Sequence, residues 1–279
     1  MAVIGLGLLG AAVSARLRRA GCQLHGFDPN PRRMSMARRL GVTLAPDAAA
    51  VAGCSVVFLA LPHSGISEEV IREIEASLAP EAVVFDCTTG EPAQMAALGQ
   101  RLARRRRTYL DTTVLGSSAE VREGTALIMV GGPRRAFVQH RALFEQLARE
   151  TFYLGKCGSA ARMKLVVNLV LGLNRAALAE ALTFAQKIGV DPRDALKIMR
   201  AGAAYSRVMD VKGLKMIRRD FAPQARLAQH LKDVRLMLAQ ASAGEFELPL
   251  TTQHAALLER AVALGAGDLD NSAVLLAYA

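Results

Sequence analysis

Tryptophan is absent from this chain, and aromatic residues make up only 5% of it. Proteins that hold single-stranded nucleic acid stack bases on aromatic side chains. The shortage therefore argues against that partner, although the net charge is +10. Cysteine is scarce too. Cys22, Cys54, Cys87 and Cys157 lie far apart with no C-x-x-C pair. That suits a reducing cytoplasm and disfavours a disulfide framework or a zinc site. The five histidines show no HExxH or comparable ligand spacing, so no metal is expected. The richest apolar stretch, 165–185, is broken by Asn168, Asn174, Arg175 and Glu180 and reads as too polar for a bilayer span. The first residues already enter a strand-like run, so no signal peptide is expected. Internal repeats and low-complexity linkers are also missing.

What remains is ordinary globular material. A chain of 279 residues, 52% hydrophobic and 22% charged, can bury a large core in one or two domains. Many of its basic residues are arginines on helix faces expected to be exposed, such as Arg16, Arg18, Arg19, Arg32, Arg33, Arg38 and Arg39. A basic surface can attract nucleic acid, anionic metabolites or acidic partners. The densest run, Arg104–Arg107, closes a helix just before a strand. Cations at a helix C-terminus favour its dipole, so the run has a structural explanation and nucleic acid is not expected.

The first half alternates short apolar runs with amphipathic stretches. Strands are expected at 2–4, 23–28, 43–44, 55–61, 82–86, 109–111, 126–130 and 152–154, with helices at 8–20 and 31–40. The runs SVVFLAL and AVVFD are continuously apolar, as strands of a parallel sheet covered on both faces should be. From about residue 158 the strand signal stops. Helical patterns follow at 160–187, 192–201, 204–217, 224–242 and 250–264. The junction Gly189-Val-Asp191-Pro192 ends one helix and caps the next. The expected architecture is a doubly wound α/β domain, 1–157, and an all-helical domain, 158–279, joined by a long helix.

Gly5-Leu6-Gly7-Leu8-Leu9-Gly10 is a GxGxxG sequence that follows a strand and opens a helix. Its glycines permit a tight turn and a close backbone approach, and the helix N-terminus then faces a pyrophosphate. Asp28 ends the second strand, 18 residues beyond Gly10. An acid there hydrogen-bonds the ribose hydroxyls of NAD and repels a 2′-phosphate; it can equally cap the helix that starts near Pro31. Arg32 and Arg33 keep NADP possible. Leu61 and Pro62 end the fourth strand, and Thr88 follows the fifth. Ligands of open α/β sheets lie at such strand ends. Thr88 is placed toward the nicotinamide half, or, with Thr89, as a cap before Glu91-Pro92.

The segment 155–168 reads GKCGSAARMKLVVN. Lys164 and Asn168 are four residues apart, on one helix face. A cation and an amide in the apolar stretch Met163 to Leu173 can be aimed at one small ligand. A helix-start lysine with its head in water is the plainer reading.

Taken together, these segments resemble the β-hydroxyacid dehydrogenase family. The resemblance covers nearly the whole chain. VIGLGLLGAAVSARL at 3–17 resembles the family's cofactor signature, DCTTGEP at 86–92 its Asp-x-Ser/Thr element, and GTALIMVGG at 124–132 its Gly-Thr-…-Gly-Gly strand. Segment 155–168 resembles the family's lysine–asparagine motif, which implies a catalytic Lys164 and a substrate-binding Asn168. Lys232-Asp233 falls where the family has a Lys-Asp pair, implying that Lys232 lies near cofactor and substrate. Gly267-Asp268-Leu-Asp270 fits as well. One loop departs. The family's Asp-Ala-Pro-Val-Ser-Gly-Gly is here Asp-Thr-Thr-Val-Leu-Gly-Ser at 111–117, with Leu115 at the serine position. Gly116 and Ser117 remain as donors for a substrate carboxylate.

The resemblance implies an NAD(P)-dependent oxidoreductase that interconverts a small β-hydroxyacid and its semialdehyde or keto form, with Lys164 as general acid–base. It also implies a homodimer or homotetramer, with the apolar helix 164–185 packed against a partner subunit; the plainer reading of that helix is a domain core, and the cysteine usage places the protein in the cytoplasm. Two alternatives stand. An imine reductase shares the fold, but such enzymes typically lack the lysine. A non-catalytic dehydrogenase-like module would use its basic surface for binding.

Overall fold

The computed structural model describes residues 1–51 and 53–278. It divides into two compact units, 1–164 and 165–279.

Eight strands form one sheet in the N-terminal unit. They are β1 (Ala2–Ile4), β2 (His25–Phe27), β3 (Thr43–Leu44), β4 (Val56–Leu59), β5 (Val83–Asp86), β6 (Thr108–Leu115), β7 (Leu127–Gly131) and β8 (Glu150–Tyr153). Their spatial order is β3-β2-β1-β4-β5-β6-β7-β8. Every neighbouring pair is parallel except β6 and β7, which run antiparallel with Asp111 opposite Gly131 and Leu115 opposite Leu127. The helices are α1 (Leu8–Arg19), α2 (Pro31–Arg39), α3 (Ser64–Ile74), α4 (Pro92–Arg104), α5 (Ser118–Glu123), α6 (Arg134–Gln139) and α7 (Arg141–Leu147), followed by the first turns of α8 (Ser159–Lys187). Strand order reverses between β1 and β4, which puts the ligand crevice of such a sheet beyond those strand ends.

The apolar runs are buried on both sides of the sheet. Val3, Phe58 and Phe85 enter one apolar cluster, while Ala2, Ile4, Val57, Leu59 and Val84 enter another. Alternate residues of one strand thus serve opposite layers. Phe85 stacks near Phe58 at 5.0 Å and meets the edge of Phe144 at 5.2 Å. Strand β6 is longer than the sequence reading. Thr112, Thr113 and Val114 are β-branched, and each pairs across to β7, so most of the expected substrate loop is strand. The arginine run is tied locally: Arg105 pairs with Glu75 at 3.3 Å, and Arg107 donates to the Leu78 carbonyl at 2.8 Å.

Beyond the start of α8 the C-terminal unit contains α9 (Pro192–Ala201), α10 (Arg207–Arg218), α11 (Leu227–Ala243) and α12 (Pro249–Ala261), then a short π segment and a terminal 3₁₀ stretch, Asn271–Tyr278. Leu178, Leu182, Leu231, Val234, Leu258 and Val274 are among its core residues. By length and composition α8 can cross a membrane, with a mean hydropathy of 1.5 over its most apolar 18 residues. Of that window 44% is buried inside the protein.

A buried ion pair braces this unit. Lys212 Nζ donates to both carboxylate oxygens of Asp270, at 2.9 and 3.0 Å. Asp270 also accepts the Gln224 and Ser272 amides. Removing one partner of such a pair strands a buried charge. Lys212→Met is therefore expected to lower unfolding free energy by about 3–5 kcal/mol, measured by urea denaturation. A loss below about 1 kcal/mol would show that the pair contributes little.

Candidate active site

The glycine loop is built as the sequence implies. Gly5 has φ +88°, and a Cβ there would strike the Ala60 carbonyl. A Cβ on Gly10 would run into the Gly5 carbonyl. At Gly7 a Cβ would meet nothing within 4 Å, so the loop is open at that point. Gly7 caps α1 with no side-chain bond, and the first turn carries no acid. The leading N–H groups thus point where an anion would sit.

Asp28 is 3% exposed at the end of β2. Its Oδ2 accepts the Leu6 amide at 2.8 Å and its Oδ1 the Asn30 amide at 2.9 Å. The helix cap is Asn30, whose side chain accepts from Arg32 and Arg33; Asp28 instead holds the glycine loop against β2. Arg33 reaches the same carboxylate at 3.3 Å.

At the next strand ends Leu61 is half-buried and Pro62 exposed. Thr88 does not project toward a ligand. It is 1% exposed, and its hydroxyl accepts from the Leu61 amide at 3.1 Å and from Ser67 Oγ at 3.2 Å. It therefore ties the ends of β4 and β5 to α3. Nor does it cap α4, whose cap is Glu91.

Lys164 is buried, 9% exposed, and its Nζ donates to the Val114 carbonyl at 2.6 Å. Two further bonds join β6 to the start of α8. Asp111 Oδ2 accepts the Ala161 amide at 3.0 Å, and Thr113 Oγ1 donates to the Ala160 carbonyl at 3.3 Å. The helix that carries the lysine is thus capped and placed by the strand that receives it.

Gly116 follows β6 with φ +140°. Ser117 departs from its expected part, because it caps α5. Its amide donates to Glu120 Oε2 at 2.8 Å, its hydroxyl to the same oxygen at 3.1 Å, and it accepts the Glu120 amide at 3.3 Å. Both of its donors are committed to a carboxylate of the chain itself. The signal was present in sequence, since Ser-Ser-Ala-Glu at 117–120 is a capping box.

In the C-terminal unit Asn168, 8% exposed, donates through Nδ2 to Asp233 Oδ2 at 3.0 Å. Lys232 Nζ lies 2.9 Å from Asp233 Oδ1. Asp233 is the member that sequence reasoning left without a role. Among the described residues no group of three or more His, Cys, Asp or Glu can hold a metal.

Two family descriptions match, and together they span nearly the whole chain. Residues 1–155 match the NAD-binding domain of 6-phosphogluconate dehydrogenase, and residues 158–278 the NAD-binding family of NADP-dependent 3-hydroxyisobutyrate dehydrogenase. The chain belongs to the β-hydroxyacid dehydrogenase family. It is similar to 2-hydroxy-3-oxopropionate reductase of Escherichia coli, with 32% identity over 98% of this chain and 95% of that protein. Among solved structures it is similar to 3-hydroxyisobutyrate dehydrogenase of Mycobacterium tuberculosis with L-serine, at 26% identity, TM-score 0.87, and 99% and 97% coverage of the two chains. An imine reductase from Pseudomonas sp. shares the fold at 18% identity and TM-score 0.66, covering 100% and 98%. As a family member the protein is an NAD(P)-dependent dehydrogenase acting on CH–OH groups. The open glycine loop, bare helix N-terminus and Asp28 fit that dinucleotide, and the cofactor's chemistry is hydride transfer.

Asp111 supplies a test of how the start of α8 is held. Burial pushes its carboxyl up to about 6, against the amide bonds it accepts, and its Oδ1 has no partner. A folded pKa above the unfolded value gives stability that is full below about pH 4 and lost as pH rises through about 6. Asp111→Asn keeps an acceptor for Ala161 and does not titrate. Between pH 4 and 7 the stability difference is expected to move toward the variant by about 3 kcal/mol, read from urea melts across pH. A difference that stays flat would mean that Asp111 titrates normally.

Proposed function

We propose that Lys164 is the general acid–base of a reversible reaction between a small hydroxy compound of the hydroxyacid type and its aldehyde or ketone. The observation that carries this is a buried ammonium fixed at 2.6 Å on the Val114 carbonyl, at the end of a strand of the dinucleotide-binding unit. A nicotinamide held there would supply the hydride for reduction and take it up in oxidation. Lys164 Nζ gives a proton to the carbonyl oxygen as it gains charge. In oxidation the neutral amine takes the hydroxyl proton. The bond to Val114 uses one of three ammonium donors and fixes the direction of the head group.

Asn168 orients the substrate. Its Nδ2 is held by Asp233, which leaves the amide oxygen as the acceptor for a hydroxyl. Lys232, compensated by Asp233, serves the cofactor and substrate side. Gly5 to Gly10, Leu61 and Pro62 line the cofactor, and Asp28 favours NAD by repelling a 2′-phosphate. Arg33 beside it keeps NADP within reach. We place the enzyme in the cytoplasm.

Lys164→Ala is expected to lower kcat by about 10²–10⁴-fold with NADH binding intact, in an absorbance assay of NADH and NADPH oxidation against small semialdehydes. Faster oxidation of NADH is the expected cofactor result. A variant that keeps its kcat would remove Lys164 from the chemistry.

The protein is proposed to be a homodimer or homotetramer. Val166, Val170 and Phe184 stand on one side of α8, each more than half exposed at 59%, 52% and 63%, and Ile188 just beyond its end is 58% exposed. A repeat of this kind suits a second helix. Val170→Glu should reduce the mass in light scattering toward that of one chain. If Val170→Glu retains the wild-type mass, this face is not the interface.

A further inference from the structure

Three features meet where β6 ends beside Lys164. The first is Leu115. Asp111 and Thr113 face the start of α8 through their bonds to Ala161 and Ala160. Side chains of a strand alternate, so Leu115 is the next residue on that same face. It directly follows Val114, whose carbonyl holds Lys164 Nζ at 2.6 Å. Leu115 is half-buried and lies outside the apolar clusters of its unit, so core packing does not account for it.

The second feature is Gly116, where a Cβ would come within 3.1 Å of Ala126 Cβ and 3.3 Å of Glu120 Cβ. A side chain there would be crowded against the helix and strained at φ +140°. The third is the capping box. The amide and hydroxyl of Ser117, two of the donors a substrate carboxylate would use there, already hold Glu120 Oε2 at 2.8 and 3.1 Å. A carboxylate arriving there would have to displace those bonds and would meet a like charge at short range.

We propose that the Leu115–Ser117 loop receives an uncharged, apolar part of the substrate and does not bind a carboxylate. The substrate class then departs from the free hydroxyacids named above: neutral derivatives, short-chain aldehydes and ketones uncharged at this end, are preferred, and Leu115 and Glu120 set that preference. The inference rests on the hydride-transfer reading above. It separates this enzyme from relatives named for carboxylated substrates, and does so with residues of one loop.

The test compares kcat/KM for succinic semialdehyde, its methyl ester and butanal, with NADH, in wild type, Glu120→Gln, Leu115→Ser and Lys164→Ala. Glutamine serves in a capping box as glutamate does, so Glu120→Gln removes the charge and keeps the helix, which an unchanged melting temperature verifies. Wild type is expected to favour the ester and butanal over the acid by about tenfold or more. Glu120→Gln should raise the acid by about tenfold and leave the ester within about twofold. Leu115→Ser should weaken butanal. Turnover that favours the acid in wild type, or an acid-to-ester ratio unmoved in Glu120→Gln, overturns the inference while the hydride-transfer reading stands. If no compound shows turnover that Lys164→Ala abolishes, that reading fails and takes the inference with it.

Discussion

The candidate site of the dinucleotide-binding unit depends on one constraint: the beginning of α8 is fastened to β6. Three side chains do this within a few residues. Asp111 accepts from Ala161, Thr113 donates to Ala160, and Lys164 returns to Val114. A long helix otherwise has four orphan amides at its start, and a buried start needs partners for them. Asp111 provides one from inside the sheet, at the cost of desolvating a carboxylate. That cost appears as its raised pKa. The same fastening fixes the lysine, because its Cα sits one turn beyond the capped amides.

The glycine loop is organised by a similar economy. Asp28 holds Leu6 and Asn30, so it shapes the loop before any ligand arrives. Arg33 lies 3.3 Å from that carboxylate. On the reading proposed above, the choice between NAD and NADP is a balance of these two neighbouring charges.

Much of this was legible in the sequence because its signals are local. GxGxxG after a strand, continuous apolar strands, and lysine and asparagine on one helix face are all patterns within a few residues. What escaped was mostly long-range. Asp233 anchors Asn168 across 65 residues and Asp111 caps α8 across 50, and no periodicity encodes such pairings. Thr88 was assigned by its place after a strand, yet its hydroxyl is spent on Leu61 and Ser67. Position at a strand end says that a residue is near the crevice. It does not say which way its side chain turns. Ser117 is different, since its partner lies three residues on and the capping box was there to be read.

Helix α8 shows how one sequence serves several environments by face. Lys164, Asn168 and Arg175 lie along one buried side, and Gly172 among them lets α11 and α12 approach, since a Cβ there would come within 2.7 Å of His230 and 2.9 Å of His254. Those two rings meet at 3.1 Å through their Nε2 atoms, so only one of the two nitrogens can carry the shared proton. Burial and the nearby Arg175 push His254 down to about 4, which keeps that ring uncharged at neutral pH. Arg175 in turn is pushed down to about 10 by burial, with the Asp270 charge opposing that fall. The opposite side of the helix is apolar and exposed. High mean hydropathy arises here from that apolar side together with the residues α8 gives to the core. The buried polar residues Lys164, Asn168 and Arg175 share one stripe, while Arg162, Glu180 and Lys187 reach solvent. Averaged along the sequence, such a helix is hard to tell from a membrane span; resolved by face, it is an internal scaffold with a polar seam.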